Sequence, residues 1–553
     1  MSVFSSRKRE TIIQDVEQKQ LDVLVIGGGI TGSGIALDAV TRGMNTAVVE
    51  MQDFAAGTSS RSTKLVHGGL RYLQQFEIKM VAEVGQERAI VYENGPHVTT
   101  PEWMMLPFYK GGTFGPLTAN IGLRVYDFLA KVKKGERRKM LSRSQALKKE
   151  PLVKQKGLKG AGYYVEYKTD DARLTIEVAK KAVEEGAHAI NYAKVVDLLY
   201  DEGQVVGALI EDRITGQKHH VYAKKIINAA GPWVDNLREM DGSKQGKTLQ
   251  LTKGVHLVFQ NDRFPLQQAV YFDAPDGRMV FAIPRNKKTY VGTTDTSHNG
   301  DIAHPQMTEA DRDYLLDAIN YMFPSLGMTV ADVDSSYAGL RPLIAEEGQD
   351  DPDEISRKDE IFISDSGLVS IAGGKLTGYR KMAENVVDTI AEQFKDDYDI
   401  LYSECKTVHL PISGGDVNGS TGFQALREQK LTEAADLGIK DETARFLIQK
   451  YGGNIDEIFN LYQREYSRAA EEGIEPIVFA ELLYAIDQEM VYKPVDFFIR
   501  RTGALFFDID FVREHKDPVI NYMARVLEWS DNQKQSYIEQ LDQLLYEAVH
   551  PTN

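Results

Sequence analysis

The chain has 553 residues, which is more than one compact core accommodates, so two or three domains are expected. Its net charge of −16 argues against a nucleic-acid partner. The single cysteine, Cys405, excludes a disulfide framework, a cysteine zinc site and a C-x-x-C redox pair, and it suits a reducing compartment. Residues 1–20 have no apolar core and predict a polar arm, not a secretory signal. No run approaches the roughly 18 apolar residues of a spanning helix, so any membrane contact is expected at the surface of a cytoplasmic protein.

A glycine turn near the N-terminus carries the strongest local pattern. Residues 21–26 form a Val- and Ile-rich run that predicts a buried strand, and GGGITG at 27–32 follows it directly. A helical pattern and a second β-branched run then lead to Glu50, which lies 23 residues after Gly27. In a dinucleotide-binding βαβ unit, Gly27 permits the tight turn, Gly29 admits a pyrophosphate, Gly32 allows close helix packing, and Glu50 bonds the ribose. The alternative is an ordinary βαβ turn that uses glycine for geometry alone.

The next part of the chain combines small residues with a basic cluster. A small-residue loop at 55–63 leads into KLVHGGLRYL at 64–73, and a helix is predicted from about Phe76 to Asn94. Residues 129–141 then carry six basic side chains: Lys131, Lys133, Lys134, Arg137, Arg138 and Lys139. Two interpretations stay open, a solvated helix end or contact with anionic lipid headgroups.

Beyond residue 170 the pattern alternates between helix and strand. A helix from Asp170 to about Gly186 precedes strands and a hairpin at 205–223, and INAAGPW at 227–233 predicts a buried strand ending in small residues. A strand-rich region at 251–294 predicts an antiparallel sheet, and GGKLT at 373–377 forms a second strand–glycine–helix junction. Residues 413–422 are typical of a linker, and the remainder predicts a helical cap.

Six motifs in a fixed order carry a family resemblance. They are GGGITGSG at 27–34, KLVHGGLRYL at 64–73, INAAGPW at 227–233, GTTDT at 292–296, GLRPL at 339–343 and GGKLTGYRKMAE at 373–384. Over about 21–390 the chain resembles FAD-dependent glycerol-3-phosphate dehydrogenases of the aerobic, quinone-linked kind. The helical tail looks like that family's C-terminal domain.

The resemblance implies an α/β fold class. It consists of a Rossmann-type FAD-binding domain of the D-amino-acid/glycine oxidase kind, an antiparallel-sheet substrate domain and an all-α C-terminal domain. The oxidoreductase region would span 21–398 and the helical domain 399–553. Its FAD-binding part would be about 21–95, 160–235 and 335–395, and its substrate-facing part about 96–159 and 236–334.

The same resemblance implies a function. The chain would oxidise sn-glycerol 3-phosphate to dihydroxyacetone phosphate in glycerol catabolism, with FAD as cofactor and a membrane quinone as acceptor. Peripheral contact with an anionic membrane on the inner face of the cell membrane and a homodimer are the further partners considered, and no metal is expected. The alternatives are an H2O2-producing glycerophosphate oxidase, an amine or amino-acid oxidase, and a flavin sensor. The first carries extra sequence that is not seen here, and the second usually needs one arginine rather than several cations.

Site residues follow from the resemblance alone. The substrate pocket would contain Arg71, Tyr72, His256, Arg341, Arg357 and Lys375, with His256 and Arg341 catalytic. The flavin contacts would be Gly27, Gly29, Gly32, Glu50, Ser59, Ser60, Lys64, Leu65, His67, Val195, Ala230, Gly231, Lys375 and Leu376.

The pocket residues also have structural interpretations. Arg71 and Arg341 suit ion pairs, Tyr72 suits the core, and Arg357 suits a solvated surface. His256 lies in an alternating strand, on the face opposite Val255, Leu257 and Phe259. It is therefore expected to point toward a pocket, where an imidazole serves as general base, or to be a satisfied core histidine.

Overall fold

The computed structural model describes residues 4–67, 78–129, 132–346 and 358–552. Within them the α-helices are α1 (Arg9–Gln18), α2 (Ile30–Arg42), α3 (Ile78–Asn94), α4 (Pro116–Leu129), α5 (Arg143–Lys149), α6 (Asp171–Glu184), α7 (Val234–Met240), α8 (Glu309–Met322), α9 (Tyr379–Tyr398), α10 (Gly419–Asp436), α11 (Asp441–Tyr451), α12 (Ile455–Arg464), α13 (Tyr466–Glu471), α14 (Pro476–Gln488), α15 (Ala504–Phe507), α16 (Ile509–Val526) and α17 (Asp531–Glu547). A π-helical segment, Asp496–Arg501, lies between α14 and α15.

The strands fall into two sheets. They are β1 (Leu21–Ile26), β2 (Thr46–Val49), β3 (Leu65–Val66), β4 (Thr99–Tyr109), β5 (Lys139–Ser142), β6 (Leu158–Thr169), β7 (His188–Ile190), β8 (Ala193–Asp201), β9 (Gln204–Asp212), β10 (Lys218–Asn228), β11 (Thr248–Gln260), β12 (Ala269–Asp273), β13 (Met279–Arg285), β14 (Lys288–Gly292), β15 (Thr296–Ser297), β16 (Ser335–Ala345), β17 (Glu360–Ile363) and β18 (Val369–Ala372).

The first sheet is built around β1. Its order is β17-β18-β10-β1-β2-β7, and β18, β10, β1, β2 and β7 are parallel. Helices α6 and α9 pack against α2, so one side of the parallel strands is covered. Because β1 is buried on both faces, its sequence is a nearly continuous apolar run. The carboxyl ends of β1, β2, β10 and β18 meet at one edge, which places the two glycine junctions side by side.

The second sheet is mostly antiparallel. Its order is β15-β11-β14-β13-β12-β4-β6-β3, with β16 on β11 and β5 on β6. The predicted hairpin, in contrast, joins β9 to β10 in the first sheet. Strand β11 pairs with β14 on one side and with β16 on the other. The predicted fold class, a dinucleotide-binding sheet with an antiparallel sheet and a helical C-terminal domain, is confirmed.

One sequence-based prediction about a connecting segment was wrong. Residues 413–422 are not a free linker, because Ser413 is buried and donates to Glu184 Oε1 at 2.6 Å, and α10 already begins at Gly419. The segment is rich in glycine because the backbones approach closely: a Cβ on Gly415 would collide with the carbonyl of Asn94.

The N-terminal arm is likewise ordered from residue 4 onward. Helix α1 buries Ile12, Ile13 and Val16, and Ser6 Oγ donates to Val491 O at 2.6 Å. The apolar residues recur at helical spacing, a weak pattern in so short a segment, and burial against β7 and β10 of the first sheet stabilises the helix.

Candidate active site

The glycine turn after β1 has the geometry of a phosphate cradle. Gly27 has φ +116°, and a Cβ at Gly27 or at Gly32 would collide with the carbonyl of Ala229 or of Gly27, respectively. Gly29 caps α2 in an extended conformation, and a Cβ there would meet only Ser59 Oγ, at 3.1 Å. The helix N-terminus is therefore left accessible to an anion that approaches along the Gly29 backbone.

Glu50 lies against this turn. One carboxylate oxygen accepts the Gly28 N–H at 2.7 Å and the other accepts the Gln52 N–H at 2.8 Å. Burial raises the pKa of Glu50 above 4.5, although both hydrogen bonds oppose the rise. Each oxygen keeps a second acceptor position, so a ribose hydroxyl can still donate to it. Val195 lies nearby, since Ala193 N donates to the Glu50 carbonyl at 2.8 Å.

The second glycine junction brings His67 to the same edge. Thr377 Oγ1 lies 3.1 Å from both the N–H and the carbonyl of His67, which joins the end of β3 to the turn after β18. Lys375 and Leu376 belong to that turn, and Gly373 and Gly374 before them have φ +75° and +82°. The structure thus brings these three predicted flavin contacts together, next to Ala230 and Gly231 at the end of β10.

His256 lies on β11 and faces away from the apolar core of that strand. Val255, Leu257 and Phe259 pack in one core cluster, whereas Val258 packs in another. The imidazole stacks on Tyr337 of β16, with ring centroids 4.6 Å apart and planes 9° apart. Gly292, its partner on β14, makes room for the ring, since a Cβ there would overlap the imidazole. Thr63 Oγ1 is 3.0 Å from His256 Nε2.

The charges around His256 are positive. Burial, together with Arg341 and Lys64, lowers the pKa of His256 well below 6.5. The imidazole is therefore neutral at physiological pH, and a neutral imidazole has one ring nitrogen with a lone pair. His256 can accept a proton there, and an anion bound between the cations would raise its pKa again.

Arg341 is held in place by a short polar turn. Its guanidinium lies 3.2 Å from Thr293 Oγ1 and 3.3 Å from Asp295 Oδ1, and it lies against Gly254, the β11 residue that faces Gly339 of β16. These bonds are long for a charged pair, and the side chain keeps 32% of its exposed surface. The exposed part of the Arg341 side chain is therefore accessible to an anionic group.

Lys64 takes a different role from a simple flavin contact. Its ammonium is buried, 2.5 Å from Asp171 Oδ1 and 2.9 Å from the carbonyl of Ser60. The same Asp171 accepts from the N–H and hydroxyl of Ser62. The side chain of Lys64 thus fixes the serine loop at 59–63 to α6, and its charge also acts on His256. Leu65 is buried in the core beside it.

Three predicted pocket residues, Arg71, Tyr72 and Arg357, lie outside the described residues, as does Lys131 of the basic cluster.

The structure also adds residues that sequence reasoning missed. Thr63 and Tyr337 contact the imidazole directly, and Tyr290 donates to the Thr63 carbonyl at 3.0 Å. Only the pairing of His256 with Tyr337 across β11 and β16 brings these rings together, and no local pattern encodes that register.

Two family models match the chain. The FAD dependent oxidoreductase family matches residues 22–380, and the C-terminal domain of alpha-glycerophosphate oxidase matches residues 405–534. The solved glycine oxidase from Bacillus cereus shares the fold, with a TM-score of 0.50 at 21% identity, covering 67% of this chain and 96% of that one. The fold and the site therefore define an FAD-dependent oxidoreductase.

Full-length relatives narrow the class. The aerobic glycerol-3-phosphate dehydrogenase of Bacillus subtilis is 60% identical over 548 residues, which is 99% of both chains. The structure of the glycerol-3-phosphate dehydrogenase from Bacillus halodurans complexed with FAD has a TM-score of 0.87 at 50% identity, covering 100% of this chain and 99% of that one. The chain belongs to the family of aerobic glycerol-3-phosphate dehydrogenases.

The cradle fits FAD, the cofactor of this family. Ser60 Oγ is buried and has no hydrogen-bond partner among the described residues, so it is available to a ligand at the serine loop. A pyrophosphate suits the Gly29 backbone and a ribose suits Glu50, while His67 and Leu376 lie at the other glycine junction, on the side of His256. The residues present can therefore hold the whole length of the cofactor.

Proposed function

We propose that this protein oxidises sn-glycerol 3-phosphate to dihydroxyacetone phosphate and passes the electrons to a membrane quinone, as a step of glycerol catabolism. The observation that carries the proposal is a buried imidazole beside the serine loop of the FAD cradle, whose pKa is lowered by burial and by two cations. The full-length relatives named for this substrate support it.

The proposed chemistry divides between the cofactor and the chain. Bound FAD supplies the hydride acceptor. His256 accepts the proton of the C2 hydroxyl on its free ring nitrogen, while Thr63 and Tyr337 hold the ring in position. Arg341 stabilises the negative charge that develops on the C2 oxygen.

The substrate phosphate requires a separate set of cations. Lys375, at the second glycine junction, together with Arg71 and Arg357 outside the described residues, is proposed for this role. Guanidinium groups bind phosphate oxygens in pairs, and an ammonium binds them as a point charge. The phosphate dianion would also offset the positive field of Arg341 and Lys64, so the pKa of His256 should be higher in the substrate complex than in the free enzyme.

Anaerobic bleaching of the flavin tests the substrate. Glycerol 3-phosphate should reduce the enzyme rapidly, and glycerol should be poorer by about two to four decades in kcat/KM, because two lost charged hydrogen bonds cost roughly 3–6 kcal/mol. Equal values for the two alcohols would contradict a phosphate site. Bleaching by glycine alone would favour an amine oxidase, and no bleaching by either compound would favour a sensor.

Helix α4 carries an exposed apolar stripe. Ile121, Val125 and Phe128 are 57%, 37% and 82% exposed, and they recur at helical spacing on one face. The opposite face, with Ala119, Leu123 and Tyr126, is buried. An apolar stripe of this kind on a charged protein marks an interaction surface.

The basic cluster continues this face. Lys134, Arg137 and Lys139 are exposed, as is Arg124 on α4 itself. Lys133 instead pairs with Glu93 at 2.6 Å, and Arg138 lies partly buried by Asp127 and Asn120. We infer that α4 lies in the plane of an anionic bilayer, with apolar residues inserted and basic residues at the headgroups. No helix in the described part of the chain combines the length and apolar character that a membrane span requires.

Vesicle co-sedimentation tests this surface. Phe128→Ser, or the double change Lys134→Glu and Arg137→Glu, should weaken binding to anionic vesicles about tenfold or more, and salt should weaken wild-type binding. Phe446→Ser is the matched control, because Phe446 is 43% exposed and lies on α11. Unchanged binding by both α4 variants would exclude this surface.

Reduction of a quinone in the vesicles, without H2O2 release in air, separates the dehydrogenase from an oxidase.

A further inference from the structure

The loop after β2, which we call the acid loop (residues 50–56), is tied to the glycine turn. Gly28 donates to Glu50, and Ala55 N donates back to the Gly28 carbonyl at 3.1 Å. The ring of Phe54 covers Gly28, where a Cβ would come within 2.6 Å of it. The conformation of the acid loop therefore sets the position of both Glu50 and the glycine turn.

At the centre of the acid loop, Asp53 is fully buried and is bound by two arginines of the C-terminal domain. Arg500 Nε lies 2.5 Å from Asp53 Oδ2, and Arg501 donates to both carboxylate oxygens, at 2.8 and 3.1 Å. The bidentate contact to Arg501 is the strong and directional form of this ion pair. Burial alone would raise the pKa of Asp53, but Arg501 and Arg500 outweigh it and hold the pKa below 3.8.

The two arginines are themselves fixed within the C-terminal domain. They end the π-helical segment Asp496–Arg501, a rare helix type that often occurs at functional sites. Arg500 Nη2 donates to Asp496 at 2.6 Å, and Arg501 Nη2 donates to the carbonyl of Glu489 at 2.6 Å. The guanidinium groups therefore present a rigid, preformed fork to the acid loop.

We propose that Arg500 and Arg501 are positioning residues for FAD: through Asp53 they hold the acid loop, and with it Glu50 and the glycine turn, in the conformation that binds the adenosine end of the cofactor. The C-terminal helical domain is thereby part of the FAD site, although it lies far along the chain from the glycine turn. Its docking and the binding of FAD are linked, so each strengthens the other.

Titration of FAD into the full-length apoprotein tests the proposal. Arg501→Gln, and separately Arg500→Gln, should raise the dissociation constant of FAD about tenfold or more, which is an ordinary coupling between two sites. Lys450→Gln is the matched control, because Lys450 pairs with Glu481 at 2.6 Å inside the C-terminal domain and both side chains are 8% exposed. The control should bind FAD within about twofold of wild type.

Two results would overturn the proposal. One is wild-type FAD affinity in both arginine variants, and the other is an equal loss of affinity in Lys450→Gln, which would indicate general destabilisation. If the glutamine variants fail to fold, Arg501→Lys keeps the charge but loses the fork, and it should still weaken FAD binding.

Hydrogen exchange on the wild-type protein gives a second test that needs no variant. Because the coupling is reciprocal, adding FAD to the apoprotein should slow amide exchange in residues 489–501. Exchange in α12, which is remote from Asp53, should not change. Equal exchange in 489–501 with and without FAD would contradict the proposed linkage.

Discussion

The His256 pocket and the Asp53 cluster are both buried and polar, but they differ in the signs of the charges that lie next to each other. At Asp53 a carboxylate meets two guanidinium groups at 2.5–3.1 Å. At His256, burial and two positive neighbours, Arg341 and Lys64, lower the pKa of the imidazole and so disfavour its protonation. Arg341 beside it lies 3.2–3.4 Å from the polar atoms of the turn at 293–295. The Asp53 cluster contains charges of both signs that neutralise each other, so it stabilises the fold. The His256 pocket contains a neutral imidazole near two cations, so it can bind an anion and accept a proton.

Removing the imidazole should have the largest effect. His256→Asn should lower the rate of flavin reduction by glycerol 3-phosphate about 10²–10⁴-fold, because the general base is lost. Flavin content and thermal stability should stay near wild type. Stopped-flow reduction measures the rate, and the surface change His219→Asn is the control. A wild-type rate in His256→Asn would return this histidine to a structural role.

The pH profile sharpens this prediction. Because the pKa of His256 is lowered well below 6.5, kcat/KM for the wild type should not fall as pH decreases through 6.5, but only at more acidic pH. A profile that falls with an apparent pKa near 6.5 would show that burial and the cations do not lower the pKa of His256 in the free enzyme.

A change at the Asp53 cluster should instead lower the free energy of unfolding. Asp53→Asn removes the carboxylate that both buried guanidinium groups share and leaves Arg500 with Asp496 and Arg501 with Glu489. Unfolding by urea at saturating FAD should therefore become easier by about 3–5 kcal/mol. His256→Asn should change the same quantity by less than about 1 kcal/mol, since the imidazole is neutral. If the two variants lose equal stability, the contrast between the clusters fails.

Stability should also depend on pH through buried histidines. Burial, with Arg173 and Lys180, lowers the pKa of His97 to about 3. Because the folded-state pKa lies below the unfolded value of 6.5, the neutral imidazole makes its full contribution to the free energy of unfolding above pH 6.5. That contribution decreases as pH falls toward 3. At pH 5.5 the loss should be about 1.4 kcal/mol for His97. Urea unfolding of wild type and His97→Gln at pH 7.5 and 5.5 measures it, and an identical pH dependence would refute the assignment.

The smallest change concerns the support of the imidazole. Thr63→Val keeps the side-chain shape but removes the bond to His256 Nε2, which is worth about 0.5–1.5 kcal/mol. Flavin reduction should slow roughly two- to tenfold, with FAD affinity unchanged. The same measurement on Thr289→Val, whose hydroxyl bonds the Phe264 carbonyl away from the pocket, is the control. Equal slowing in both variants would indicate a loss of folding rather than of positioning.

Much of the fold could be predicted from local sequence. The glycine turn, its flanking strands and Glu50 are contiguous, so residue spacing alone specifies a βαβ unit. The alternation in β11 similarly predicted the face of His256. The segment at 413–422 was misjudged because its order comes from burial against distant parts of the chain, and glycine-rich composition does not reveal that burial. The order of the N-terminal arm, which the sequence left open, has the same origin.

The sequence by itself determined the class of cofactor and the kinds of residue at the site, because glycine geometry, strand periodicity and family motifs are local properties. Only the tertiary structure decided which groups meet. Tyr337 reaches His256 through the register of β11 and β16. Lys64 binds Asp171 rather than acting only as a flavin contact. Arg500 and Arg501 reach Asp53 across more than 440 residues of chain. These contacts arise from strand pairing and domain docking, which depend on the packing of the whole chain and leave no periodic signal in any one segment.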